Sequence, residues 1–188
     1  KVARTYVLYR EERKKIRKEE EKPQEKEQER TVTVILENGK ETQLDTQRLN
    51  KMVREACEGL EGTSAEEIIK EATKNLYDGV SITDVRTSLV MTARTLVEKE
   101  PNYTYTTARI LLDNLRTEAL SYLDIKEEAT QSEMGMIYPK ALVAFIKRGI
   151  ENGILNPELN DLDITKLGKA IKPERDKNFT YLGLQTLY

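Results

Sequence analysis

Histidine is absent from the 188 residues, and cysteine occurs once, as Cys57. Without an imidazole and with a single thiol, the chain contains no Ser-His-Asp triad, no Cys-His pair and no zinc site of the usual Cys/His kind. One cysteine also excludes an intrachain disulfide. Cys57 falls at the edge of an apolar helical stripe, between Ala56 and Leu60, where a free thiol behaves as a small packing residue. No apolar run approaches the roughly 18 to 20 residues of a membrane span, and KVARTYVLYR at the start has no apolar signal-peptide core, so a cytoplasmic location is expected. An excess of either charge is missing too. With 31 basic and 33 acidic residues the net charge is -2, which gives no global electrostatic reason to expect a nucleic-acid or anionic-membrane partner.

What is present is helix-rich: 38% hydrophobic and 34% charged residues fit one or two soluble domains. The chain is organised around residues 32–60. Val32, Val34 and Leu36 alternate with Thr33, Ile35 and Glu37, and Asn38-Gly39 supplies the positive φ angles of a tight turn before Lys40 to Leu44 runs back as a second strand. Asp45 then stands where an N-cap belongs. Leu44 and Leu49 are spaced as a hydrophobic staple, Leu49, Met52, Val53, Ala56 and Leu60 continue one apolar stripe, and the helix is expected to end near Gly59. A hairpin over a helix N-terminus is a physical setting for phosphate, because the first turn presents unpaired N–H groups and the positive end of the helix dipole.

Elsewhere the pattern is helix or linker. Residues 1–16 have a helical pattern with Val2, Tyr6, Tyr9 and Ile16 near one face, and residues 17–30 hold no apolar side chain and include Pro23, as expected of a solvated linker. Capping signals at Thr63 to Glu67 and at Ser81 to Asp84 open a second and a third helix, the third with a stripe of Val85, Leu89, Val90, Ala93, Leu96 and Val97. A fourth begins around Tyr103 to Tyr105 and is expected to bury Ala108, Leu111, Leu112, Leu115 and Leu120. The expected fold is therefore mainly α: a small β-hairpin covering four helices over residues 31–123, followed by helical segments over 124–188. In that last part residues 131–138 read as a loop. Pro139 suits the first position of a helix carrying Leu142, Val143, Phe145, Ile146 and Ile150 and stopped by Gly153.

Three ordered motifs suggest a family. Val-Ile-x-x-x-Gly from Val34 followed by Leu44-Asp45-x-x-Arg48-Leu49, then Leu76-Tyr77-Asp78-Gly79-Val80-Ser81-Ile82-Thr83-Asp84-Val85, then Pro101-Asn102-Tyr103 with Ala108-Arg109-Ile110-Leu111, together resemble the ATP-cone, a regulatory nucleotide-binding module of class I ribonucleotide reductase large subunits. Val2-Ala3-Arg4-Thr5-Tyr6-Val7 resembles Thr107 to Leu112, as the last helix of a preceding cone would. Glu133 to Gly149 and Arg175 to Tyr181 resemble the helical lead-in to the catalytic barrel. The resemblance thus implies an excerpt lying between a first cone and the barrel. It implies a parent enzyme that reduces ribonucleoside diphosphates with a radical cysteine and a dithiol, works with a smaller radical-generating subunit, forms homo-oligomers of large subunits, and responds to ATP and dATP as allosteric effectors. One stripe cysteine cannot be both radical carrier and dithiol, so no catalytic residue is expected in this chain.

The resemblance also points to a site. The family places a basic pair after Val-Ile of the first strand to meet the triphosphate; here those positions hold Leu36 and Glu37, which forfeit one charge-assisted contact and add repulsion. Asp45 and Arg48 at the helix start, and Arg86 on the third helix, match family positions that meet nucleotide; the arginines by themselves read first as ordinary exposed helix residues. Lys40 is a candidate replacement for a lost charge. The expectation is a degenerate cone acting as spacer or subunit-contact module; the alternative is a working ATP/dATP switch. A third class, a reductase-gene repressor, pairs its cone with a zinc ribbon, for which this chain has no ligands.

Overall fold

The computed structural model describes residues 32–74, 76–125 and 128–187, so the helix expected at 1–16 and the linker at 17–30 lie outside the described residues. The hairpin forms where the alternation places it. Strand β1 (Thr33–Ile35) runs antiparallel to β2 (Glu41–Gln43) with Val34 opposite Thr42, and the turn closes through the Gly39 N–H donating to the Leu36 carbonyl at 2.8 Å. Gly39 has φ +77°, the left-handed geometry that the Asn-Gly pair makes accessible.

A third strand was not expected. β3 (Val80–Ser81) pairs in parallel with β1 on the side away from β2, giving the order β2-β1-β3. The Gly79 N–H donates to the Thr33 carbonyl at 2.8 Å and the Thr33 N–H to Asp78 Oδ1 at 2.9 Å. The Asp-Gly pair that reads as a helix stop therefore also fastens the sheet edge. Two residues are too few for any alternation to reveal.

Four helices carry the sheet: α1 (Thr46–Cys57), α2 (Ala65–Thr73), α3 (Ile82–Thr95) and α4 (Tyr103–Tyr122). The first three start on the expected caps. Asp45 accepts the Arg48 N–H, Ser64 the Glu67 N–H and Ser81 the Thr83 N–H, each removing one orphan donor of a first turn. The apolar stripes converge on one core in which Val53, Ile68, Leu89, Ala93 and Ile110 lose essentially all solvent contact.

Downstream come α5 (Met134–Glu151), α6 (Ile164–Ala170) and α7 (Tyr181–Gln185), separated by short 3-10 turns that include Pro173–Asn178. Here three expectations fail. Pro139 is not the first residue of its helix but its sixth, because a Thr130–Glu133 capping box starts the coil earlier and the turn Gln131–Glu133 leads directly into α5. The helix gives up one internal hydrogen bond at the proline. Residues 131–138, expected as a loop, form the 3-10 turn and the first residues of α5 instead. Of the apolar residues expected on this helix Val143 and Phe145 are exposed, and Met134, Ile146 and Gly149 are the buried residues of α5.

The four-helix core is not filled by residues 32–123 alone. Tyr181 and Leu184 of α7 belong to it, α7 packs along α4, and the Arg94 guanidinium lies 5.5 Å from the Tyr181 ring centroid. No helix among the described residues is long and apolar enough to cross a membrane.

Candidate functional site

Asp45, Arg48 and Arg86 come from two helices, and the fold brings all three to one cleft between α1, α3 and α4. Asp45 is placed by the end of β2 and by its own cap: its Oδ1 accepts the Arg48 N–H at 2.9 Å, so a carboxylate already sits at the N-terminus of α1. The anion-binding end of that helix is occupied from within the chain.

The arginines are paired just as completely. Arg48 Nη2 donates to both oxygens of Asp113, at 3.2 and 3.0 Å, and its Nε lies 2.5 Å from Glu128 Oε2. Arg86 Nη2 donates to Glu128 Oε1 at 2.8 Å, and its Nη1 lies 3.7 Å from Glu37 Oε1. The chain of contacts runs Asp113, Arg48, Glu128, Arg86, Glu37. Two guanidinium groups meet three carboxylates. Both arginines are mostly covered, with side chains 21% and 16% exposed, so they are not ordinary solvated helix residues. Lys40 is exposed past the turn and takes no part in this network.

Asp113 lies deepest, its side chain 3% exposed. Burial pushes its carboxyl up from the ordinary carboxylate range and Arg48 pulls it back down, so the ion pair holds in place a group that would otherwise resist ionising. Asp113 and Glu128 are the residues that sequence reasoning missed. For Asp113 a signal existed: it follows Ile110 by three positions and precedes Leu120 by seven, on the core-facing stripe of α4, where a charged residue requires a partner. Glu128 lies between helices and carries no comparable mark.

The space around these side chains is narrow in the cleft and open beside it. The enclosed part of the cleft holds about 50 Å³, against roughly 300 Å³ for the smallest ordinary ligand pockets. An open groove of about 620 Å³ adjoins it, but Asp45, Glu128 and Glu133 line that groove alongside Arg48 and Lys51. Both signs of charge therefore line the groove, and Arg48 and Arg86 are each paired with carboxylates of the chain.

A second polar cluster stands one turn along α4. Arg116, 4% exposed, donates through Nη2 to Gln131 Oε1 and to Asp176 Oδ2 at 2.6 Å, and the Tyr138 hydroxyl donates to the same Asp176 oxygen. Burial and the neighbouring carboxylate push the Tyr138 phenol up to about 12. Gln131 Nε2 donates to the Pro173 carbonyl at 2.9 Å. Nearby, Arg109 Nη1 donates to the Ala56 and Glu58 carbonyls, each at 2.9 Å, satisfying the C-terminal end of α1, while Lys177 pairs with Glu58 at 2.8 Å. These contacts tie the Pro173–Asn178 turn to the helices above it.

Comparison with known proteins agrees with this fold. Residues 32–118 match the family described as the ATP cone domain. The chain is 32% identical over 191 aligned positions to the ribonucleoside-diphosphate reductase subunit alpha of Chlamydia pneumoniae, covering 100% of this chain and 18% of that protein. The corresponding subunit of Helicobacter pylori (strain 26695) is 27% identical over 159 positions, covering 84% of this chain and 18% of the relative. That of Enterobacteria phage T4 is 29% identical over 163, covering 83% and 19%. The chain therefore spans about a fifth of the length of these relatives and is homologous to the N-terminal region of reductase alpha subunits, with one cone matched in it.

Proposed function

We propose that this chain is a regulatory part of a ribonucleoside-diphosphate reductase alpha subunit in which the cone has lost its nucleotide and serves as a spacer or subunit-contact module. In this reading residues 1–16 end a preceding cone, 17–30 link it to the present one at 31–123, and 124–188 lead into the catalytic barrel. The preceding cone senses ATP or dATP, and the present one passes its state onward. The parent is cytoplasmic, reduces ribonucleoside diphosphates with a smaller radical-generating subunit, and assembles as a homo-oligomer of large subunits.

The observation that carries this reading is the saturation of Arg48 and Arg86 by Asp113, Glu128 and Glu37. Leu36 and Glu37 stand where the family resemblance calls for a basic pair, and Glu37 does the opposite of binding phosphate: it lies against Arg86. The alternative, a working ATP/dATP switch, draws on one observation, the convergence of Asp45, Arg48 and Arg86 on a single cleft.

Calorimetric titration of dATP into the whole chain separates the two. The isolated 31–123 segment is unsuitable, because Tyr181 and Leu184 complete its core. No measurable heat is expected, with binding restored by Leu36→Lys plus Glu37→Arg, which adds two cations and removes a carboxylate. Binding in the micromolar range by the unaltered chain establishes the switch and rejects the degenerate cone.

A further inference from the structure

Glu128 differs from the other two carboxylates of the cleft. Asp113 makes its ion pair with Arg48 from within the core, and Glu37 is 69% exposed and 3.7 Å from Arg86. Glu128 bridges both arginines, offering Oε2 to Arg48 and Oε1 to Arg86. Two oxygens of one anionic group, each taking a different guanidinium, is the contact a phosphoryl group makes with a pair of arginines. Glu128 is also held there by the backbone beside it. Ala129 and Thr130 are buried; the Thr130 N–H donates to Glu133 Oε2 at 2.8 Å, its hydroxyl donates to Glu55 Oε1 at 3.3 Å, and the Ser132 N–H donates to Glu55 Oε2 at 3.1 Å. On its C-terminal side the carboxylate is held by a short anchored stretch.

We propose that Glu128 is a built-in phosphate surrogate, an autoinhibitory contact that keeps phosphoryl groups off the Arg48–Arg86 pair. This rests on the reading that the cleft holds no triphosphate and adds Glu128 to Leu36 and Glu37 as a residue that keeps phosphate out. The mechanism is competition. A tethered carboxylate acts at an effective concentration in the millimolar range or above, and the apparent affinity for a free anion falls by the fraction of molecules in which the tethered group has let go. Neutralising Glu128 frees Arg48 Nε and Arg86 Nη2 for a phosphoryl group while Asp113 keeps its contact with Arg48 Nη2.

The test is calorimetric titration of sodium tripolyphosphate, and of ATP in parallel, into the full chain and into E128Q at low ionic strength, with circular dichroism melting to confirm that each is folded. E128Q is expected to bind tripolyphosphate at least about tenfold more tightly than the unaltered chain, and the gain is expected to vanish in E128Q/R86A. E128D, which withdraws the carboxylate by one methylene, carries the same test with a smaller gain if E128Q does not fold. Equal, weak binding by the unaltered chain and E128Q overturns the surrogate role while leaving the degenerate cone intact. Micromolar ATP binding by the unaltered chain overturns both, and a gain that survives R86A places the anion elsewhere and overturns the surrogate role.

Discussion

Removing the Asp176 carboxylate should destabilise the whole fold, although Asp176 lies far along the chain from the four-helix core. Its Oδ2 accepts from both the Arg116 guanidinium and the Tyr138 hydroxyl. Asp176→Ala takes the carboxylate away from Arg116, which is 4% exposed, and leaves the neutral Gln131 oxygen as the acceptor for its Nη2, while Arg116 Nε has no hydrogen-bond partner. Stripping one member from a fully buried ion pair costs about 3–5 kcal/mol, because a charge is stranded in a poor solvent. The Asp176 side chain is 18% exposed, so water reaches the vacated position and the expected loss is the lower figure of about 2–3 kcal/mol. Urea unfolding of the full chain, followed by far-ultraviolet circular dichroism at pH 7, measures it. In an Arg116→Met background, where no charge remains to strand, the same substitution should cost under about 1 kcal/mol. A loss below about 0.5 kcal/mol in the unaltered background, or equal losses in both, refutes the claim that this ion pair fastens the downstream turn to α4.

Three further outcomes follow from the same packing. Leu184→Ala, at a residue 3% exposed in the shared core, should cost about 2–4 kcal/mol in the same unfolding assay, whereas Leu182→Ala, 69% exposed on the same helix, should cost under about 0.5 kcal/mol. Gly168→Ala should loosen the α5–α6 contact, since its Cβ would fall 2.9 Å from the Pro139 backbone, and a cost of about 1–3 kcal/mol is expected by thermal melting. Tyr138 sets an alkaline limit: its phenol titrates at about 12 in the folded state and near 10 unfolded, so the folded chain holds the proton more tightly between those values. Its contribution is complete below pH 10 and is lost as pH rises toward 12, and Tyr138→Phe should flatten that part of the stability curve.

The local elements were legible because their causes are local. Asn38-Gly39 specifies its turn, and Asp45, Ser64 and Ser81 specify helix starts through side-chain atoms within three residues of the amides they satisfy. The stripes of α1, α3 and α4 follow from a 3.6-residue period that needs no knowledge of the partner. Where the reading failed, the deciding partner was distant. β3 exists because Thr33 reaches residues 78 and 79, and α5 begins before Pro139 because a capping box at Thr130 outweighs the proline signal. Val143 and Phe145 are apolar on a helix whose inward face is fixed by Met134, Ile146 and Gly149, a choice made by the neighbours and not by composition.

The cleft divides in the same way. Asp45, Arg48 and Arg86, and the replacement of the expected basic pair by Leu36 and Glu37, are matters of residue identity at spaced positions, and the sequence alone determined them. It also determined that no Ser-His-Asp triad, Cys/His zinc site or intrachain disulfide belongs to this chain, since those need side chains that are not in it. What only the tertiary structure decided is the state of the two arginines. Glu128 lies 42 residues from Arg86 and Asp113 lies 65 from Arg48, and pairing over such separations depends on how α1, α3 and α4 are set against each other. The inclusion of Tyr181 and Leu184 in the core was decided there too, because burial is a property of the surface an element meets and not of the element itself.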